Sequence, residues 1–252
     1  MLIAVVNQST KISDADVNTM CQGIQIQLDL NFLPAWGLKS CTIKFYKDQK
    51  SVPGYAWLFT IIDSNAQVQD ALGWHEEDNG RVTAFIACDP ILENHGVVLF
   101  DPTQPQNVSV SSVLSHECLE AIIDRSANGY VDNGTTSWAL EVADPVEGCS
   151  YMISVNGVSV SVSNFVFPSF FNPEATSPIN APFDFCLRLN KPFSLDKGGY
   201  AITRTGGPGS ETQIFGELMP KWKRDMKKSE LSRFARRRGK LTWLQKLLAF
   251  FP

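Results

Sequence analysis

The sequence predicts an α+β fold in which a mixed sheet packs on two main helices. Apolar and β-branched runs typical of strands recur along the first two-thirds of the chain, and only two long stretches place apolar residues at helical spacing. Their order is strand, helix, three strands, helix, which mixes the two element types in one domain. With 252 residues, 44% of them hydrophobic and 19% charged, the chain is long enough to bury a sizeable core.

The N-terminal elements follow from short local patterns. "LIAVVN" (2–7) predicts a buried strand; it is too short and lacks the basic lead of a signal peptide, so we expect no secretion by that route. "SDADVNTMCQGIQIQLDL" (13–30) predicts a helix capped by Ser13, which we expect to end before Pro34. No run approaches the ~20 apolar residues of a membrane span, so no transmembrane segment is predicted.

Three further strands and the second main helix come next. The strands are "CTIKFYK" (41–47), "GYAWLFTIID" (54–63) and "RVTAFIAC" (81–88), with "HEEDNG" (75–80) as a polar turn before the last of them. Either His75 or His95 could approach the site from its loop, but we expect both to be surface histidines. "SVSSVLSHECLEAIID" (109–124) predicts a helix capped by Ser111 or Ser112. Asn156-Gly157 predicts the turn of a later hairpin.

Charge and composition together divide the chain into three parts. Residues 1–218 carry 11 Lys/Arg against 24 Asp/Glu, whereas residues 219–252 carry 11 against 2. The pattern predicts a domain over 1–205 with an irregular Pro- and Phe-rich C-terminal region, a flexible Gly-rich linker over 206–218, and a basic, amphipathic helical arm over 219–252.

The positive charge of the arm predicts that it binds an anionic partner. Its basic residues suit nucleic-acid phosphates or an acidic protein surface, and its apolar end offers anionic lipid as a further alternative. A solvated arm that becomes ordered on assembly is equally open. The residues proposed to bind nucleic acid or a protein partner are Lys221, Lys223, Arg224, Arg236, Arg237 and Arg238.

The sequence lacks the motifs of several other kinds of functional site. The six cysteines form no Cys-x-x-Cys pair, so we expect reduced, buried thiols and no zinc ribbon. No Gly-x-Ser-x-Gly nucleophile elbow and no phosphate-binding glycine loop occurs.

"SHECLEAIID" (115–124) carries the main functional signal. On a helical wheel His116, Glu117, Glu120 and Asp124 share an arc of about 100°, while the rest of the circle is apolar. Buried carboxylates require a cation or other partners. His116 and Glu120 have the i, i+4 spacing of the ligands in the zinc-peptidase motif His-Glu-x-x-His, and Glu117 stands where that motif has its general base.

Downstream acids complete the predicted metal site. The spacing of "ALEVADPVEG" (139–148) resembles that of glutamate-type zincins, which implies Glu141 as the third metal ligand. The same resemblance implies that Asp144 orients His116, and we place Asp124 among the outer groups around the site. A set of one histidine and two carboxylates would hold Zn²⁺ less selectively and accept Mn²⁺, Mg²⁺ or Ca²⁺. A polar stripe facing solvent, neutralised by Arg125, remains the alternative.

Five segments together resemble a family of tailed-bacteriophage proteins. They are "ALGWHEEDNGRVTAFIACDP", "LSHECLEAIIDRSAN", "ALEVADPVEGCSY", "VSNFVFPSFFNP" and "KPFSLDKGGYAI", and the likeness covers roughly residues 1–205. The resemblance implies a virion structural or assembly protein on a zincin-like scaffold, made in the host cytoplasm, with other virion proteins as partners in an oligomer. It also implies that "RVTAFIAC" edges the cleft. Two hypotheses follow: a structural protein with a variant, catalytically degenerate metal site, or an active metallopeptidase serving capsid maturation or cell-wall penetration.

Overall fold

A computed structural model describes residues 1–64, 71–104, 108–175, 182–207, 210–219 and 221, and it has the mixed helix and strand content of an α+β protein. Four α-helices are described: α1 (Asp14–Gln27), α2 (Leu33–Trp36), α3 (Cys88–Leu92) and α4 (Val110–Ile123). The strands are β1 (Leu2–Asn7), β2 (Thr42–Tyr46), β3 (Trp57–Ile62), β4 (Gly73–Asp78), β5 (Arg81–Ala87), β6 (Tyr130–Asp132), β7 (Ser137–Ala139), β8 (Ser150–Val155), β9 (Val158–Ser163), β10 (Tyr200–Arg204) and β11 (Glu211–Phe215).

The main sheet has five strands in the order β2-β1-β3-β5-β4. β1, β2, β3 and β5 are parallel neighbours, and β4 pairs antiparallel with β5. The predicted N-terminal strand is confirmed, because Ile3–Val6 are almost fully buried between two neighbours. The predicted strand of 81–88 is β5. It lies one position in from the edge of the sheet, which β4 takes.

α1 begins as predicted, and the helical path continues beyond the predicted end. The Ser13 side chain accepts from the Asp16 backbone, and the Asp16 carboxylate accepts from the Ser13 backbone, which forms a capping box. The helical path does not stop before Pro34. It continues through a π-helical stretch, Leu28–Phe32, into α2, where Pro34 lies in the first turn and needs no hydrogen-bond donor. Gly37, with φ of 62°, ends this path.

α4 is the most buried helix of the described chain. Its cap is Ser109, which exchanges hydrogen bonds with Ser112, so the predicted caps Ser111 and Ser112 are wrong. Ser109 has an extended backbone and forms an isolated parallel β-bridge with Val97, so the helix starts at the next residue. Every residue from Val110 to Ala121 is buried, polar side chains included.

The β8–β9 hairpin covers α1 and α4. It turns at Asn156-Gly157, both with positive φ, as predicted. Ser115 of α4 donates to Gln27 Oε1 at 2.6 Å and accepts from the Ser163 backbone at 3.1 Å, so one buried hydroxyl joins α1, α4 and β9. Such a satisfied buried network fixes how these three elements pack.

The C-terminal half contains a second sheet and an irregular segment. β11, β10, β7 and β6 form a four-stranded antiparallel sheet. The prediction of a flexible linker over 206–218 is wrong for Glu211–Phe215, because these residues are β11 and pair along β10. The irregular stretch from Pro168 is held by aromatic contacts of Phe170 and Phe193 with Trp138.

The described part of the chain has two further properties that bear on function. All six cysteines are free thiols, four of them buried, and burial raises the pKa of Cys41 and Cys88 to about 11. Among the described residues no helix is both long and apolar enough to cross a lipid bilayer.

Candidate metal centre

Three polar side chains of α4 lie in the protein interior. His116 is 6% exposed, Glu117 2% and Glu120 0%. The sequence placed them on one narrow arc, but the structure directs them to two sets of partners. His116 and Glu120 meet Asp144 from the short 3₁₀ turn Asp144–Val146, while Glu117 meets His75 on β4. The solvent-facing alternative is therefore wrong for these three residues.

The first set, which we call the His116 cluster, consists of His116, Glu120 and Asp144. His116 Nε2 lies 3.2 Å from Glu120 Oε1 and 3.1 Å from Asp144 Oδ1. Glu120 Oε1 also accepts from the backbone N–H groups of Ala143 and Asp144, at 3.3 and 3.2 Å. These bonds fix the turn that carries Asp144 against the middle of α4.

The two carboxylates control the charge of His116. Burial by itself lowers the pKa of an imidazole, but the nearby carboxylates of Glu120 and Asp144 outweigh it, so the pKa of His116 lies well above its usual value. A positive charge is therefore strongly favoured at this point of the interior. A proton on His116 or a bound cation would supply that charge.

The His116 cluster also fits a divalent cation. Its three ligand atoms lie within 4.8 Å of one another. Ligands about 2.1 Å from a tetrahedral or octahedral ion are about 3.0–3.4 Å apart, and the two distances from Nε2 fall in that range. Asp144 Oδ2 is enclosed and accepts no hydrogen bond from the residues that the structure describes. An enclosed carboxylate oxygen with spare acceptor capacity is suited to a cation.

The structure places the other predicted site residues differently. Asp144, predicted to orient His116 from outside, belongs to the His116 cluster itself, whereas Glu141 is buried but is not part of that cluster. The Asp124 side chain accepts a hydrogen bond from the Gly129 backbone N–H at 2.7 Å, and Asp124 is not part of the His116 cluster. Burial raises the pKa of Tyr130 to about 12, assisted by the negative charges of Glu211, Glu141 and Asp124.

His75 is the site residue that sequence reasoning missed. It was predicted at the surface of a turn, but it lies on β4 and is 1% exposed. Asn79 and Gly80, with φ of 49° and 80°, form the tight turn between β4 and β5. Asn-Gly is a strong hairpin signal, so the sequence did contain the information that "GWHEED" is a strand. The strand then carries His75 beneath the edge of the sheet and against α4.

His75 and Glu117 form a second buried contact. His75 Nδ1 lies 3.1 Å from Glu117 Oε2, and His75 Nε2 lies 2.9 Å from the backbone oxygen of Asp124 at the end of α4. Glu117, predicted as the general base, therefore has an imidazole neighbour that the zinc-peptidase pattern does not include.

Of the predicted partner-binding residues in the basic arm, only Lys221 is among the described residues, and it is exposed. Lys223, Arg224, Arg236, Arg237 and Arg238 lie outside them.

The chain has no significant match to a family model, to a curated protein or to a solved structure.

Proposed function

We propose that this protein is a structural or assembly component of a tailed-phage particle, built on a zincin-like scaffold whose His116 cluster holds a divalent cation. The cluster carries the metal part of this proposal: an imidazole and two carboxylates converge inside the protein. The phage part rests on the resemblance of the five sequence segments. A bound cation at such a site would supply positive charge to the interior and ligate groups from two segments.

The burial of the cluster favours a stabilising role over catalysis. Asp144 is 1% exposed and Glu120 is not exposed at all, so a polypeptide substrate has little access to the ligand atoms. A cation held by His116, Glu120 and Asp144 would fasten α4 to the 3₁₀ turn, which lies more than twenty residues further along the chain. A ligand that binds only the folded state stabilises that state, so a cation at this site would add to the free energy of unfolding.

The ligand set limits the identity of the cation. An imidazole suits Zn²⁺ and related transition metals, whereas carboxylates also suit Mn²⁺, Mg²⁺ and Ca²⁺. We therefore expect Zn²⁺ or Mn²⁺ to bind more tightly than Mg²⁺ or Ca²⁺, because the latter two prefer an all-oxygen set.

Thermal denaturation with and without metal tests the cation site. Dialysed protein should gain about 2.7 kcal/mol of stability when free Zn²⁺ or Mn²⁺ reaches one hundred times its dissociation constant. His116→Ala should lose a bound ion by elemental analysis and lose part of this gain, whereas His95→Asn, a change to the exposed histidine, should behave as wild type. If His116→Ala binds as many ions as the wild type and is stabilised by metal to the same extent, the His116 cluster is not the metal site.

The alternative function, a metallopeptidase, makes a separate prediction. The position of Glu117 next to His116 in the sequence is the observation that favours it. Hydrolysis of a denatured protein substrate by the wild type, abolished in Glu117→Gln while the ion that depends on His116 is retained, would establish catalysis. Equal hydrolysis by the wild type and Glu117→Gln would reject Glu117 as the general base, and we expect no hydrolysis from either protein.

The particle role is tested through the basic arm. We propose that residues 219–252 contact packaged nucleic acid or an acidic surface of a neighbouring virion protein. Removing these residues should prevent incorporation into particles, while their replacement by a neutral Gly/Ser segment of equal length should fail in the same way if charge is what matters. Normal incorporation of the truncated chain would show that the arm is not an anchor.

A further inference from the structure

A second group of potential ligands lies beside the His116 cluster. His75 from β4 and Glu117 and Glu120 from α4, which we call the His75 cluster, place one ligand atom each within 4.8 Å of one another. All three residues are buried. Glu120 belongs to both clusters, so the two groups are joined through one carboxylate.

The orientation of His75 suits metal ligation. A carbonyl oxygen only accepts hydrogen bonds, so His75 Nε2 must donate its proton to the Asp124 backbone oxygen at 2.9 Å. This bond directs the other ring nitrogen, Nδ1, at Glu117 Oε2, 3.1 Å away. Histidine ligands in metal sites commonly donate their second N–H to a backbone carbonyl in this way, which fixes both tautomer and ring orientation.

When His75 Nε2 carries the proton of a neutral ring, Nδ1 and Glu117 Oε2 are both acceptors, so a proton or a cation must lie between them. Protons on both imidazoles would supply two positive charges to the three carboxylates of the joined clusters, Glu117, Glu120 and Asp144. A divalent cation would supply two positive charges at a single position. The distance of 3.1 Å is also what neighbouring ligands around such an ion have, about 3.0–3.4 Å.

The edge strand leaves room for this arrangement at Gly73. A Cβ atom there would lie 2.9 Å from Glu117 Cγ and 3.0 Å from Glu117 Oε1. Glycine therefore allows the Glu117 side chain to lie directly against the β4 backbone. Any other residue would push the carboxylate away from its position beside His75.

We propose that the His75 cluster is a second divalent-cation subsite, and that Glu120 bridges it to the His116 cluster. Each subsite offers one imidazole and two carboxylates, a set that suits Zn²⁺ or Mn²⁺. The inference rests on the proposed function only through Glu120, since His75 and Glu117 take no part in the His116 cluster. Occupied together, the two subsites fasten both the edge strand β4 and the 3₁₀ turn of Asp144 to α4.

Metal stoichiometry of the full chain tests the proposal. Metal-free protein is loaded with Zn²⁺, dialysed, and measured by elemental analysis, with circular dichroism to confirm folding. We expect two ions per chain for the wild type and for His95→Asn, and one for His75→Ala and for His116→Ala. One ion in the wild type that disappears in His116→Ala and persists in His75→Ala would overturn the second subsite and leave the first intact.

Other outcomes separate the two proposals further. One ion that disappears in His75→Ala and persists in His116→Ala would support the second subsite and reject the first. No bound ion in the wild type would overturn both. Should either alanine variant fail to fold, electron paramagnetic resonance of wild-type protein loaded with Mn²⁺ decides, because two ions that share Glu120 give a spin-coupled signal. A purely mononuclear Mn²⁺ signal at full loading would overturn the shared arrangement.

Discussion

Gly73→Ala gives the sharpest test of how the edge strand and α4 fit together. The new Cβ would meet Glu117 Cγ and Val113 Cγ1, both at 2.9 Å, whereas carbon atoms in ordinary contact are about 3.5–4.0 Å apart. Overpacking of this kind in a buried region typically costs about 1–3 kcal/mol. Because Gly73 pairs with Ile86 in the sheet, β4 cannot move away without breaking its ladder with β5.

The side chain that moves in Gly73→Ala should be Glu117. We therefore expect chemical denaturation to show a loss of about 1–3 kcal/mol, and a melting temperature about 2–4 °C lower for each kcal/mol lost. The ion that depends on His75 should be lost, while the ion that depends on His116 should remain.

Gly54→Ala is the matched control for this substitution. Gly54 is exposed, and a Cβ atom added there would meet nothing within 4 Å, so the extra methyl group should leave stability within about 0.5 kcal/mol of the wild type. A Gly73→Ala protein with wild-type stability and wild-type metal content would refute the packing of Glu117 against β4 and, with it, the reason given for a glycine at this position.

Three other measurements probe the described structure. Ser115→Ala removes a buried hydroxyl that satisfies two groups, so urea denaturation should show a loss of about 2–4 kcal/mol, against about 0.5 kcal/mol or less for the exposed Ser154→Ala. With a chelator present, the raised pKa of His116 means that protonated His116 stabilises the folded state. This contribution should be complete below pH about 6.5, the pKa of histidine in the unfolded chain, and should disappear as the pH rises through the pKa in the folded state. A free energy of unfolding that does not decline on the alkaline side would contradict this prediction. Gly157→Ala should lose about 1 kcal/mol in thermal melts, because its φ of 84° strains a residue with a Cβ, and an unchanged melt would argue against this hairpin turn.

The parts predicted well from sequence are those set by local rules. The N-terminal strand, the Ser13 cap and the Asn156-Gly157 hairpin depend on neighbouring residues, and each is present as expected. Errors came where tertiary packing replaced a local preference. Pro34 was expected to end a helix, but it lies in the first turn of α2, where a missing N–H does no harm.

The candidate site shows the same division. The i, i+4 spacing of His116 and Glu120 brought them to one side of α4, as the helical repeat requires. Their third neighbour depends on how the 3₁₀ turn folds back, and the structure places Asp144 there, with Glu141 elsewhere. Sequence separation alone could not distinguish the two acids, which are only three residues apart.

The sequence by itself determined that one helix carries an imidazole and three carboxylates on a narrow arc, and that these groups need a positive partner if they are buried, because helical periodicity and the cost of burying charge are local and general. Only the tertiary structure decided which partners these groups meet. A strand buries or exposes a residue according to the element that packs on it, so the placement of His75 beside Glu117 depends on β4 lying at the sheet edge over α4. That long-range contact turns one predicted cluster into two that share Glu120.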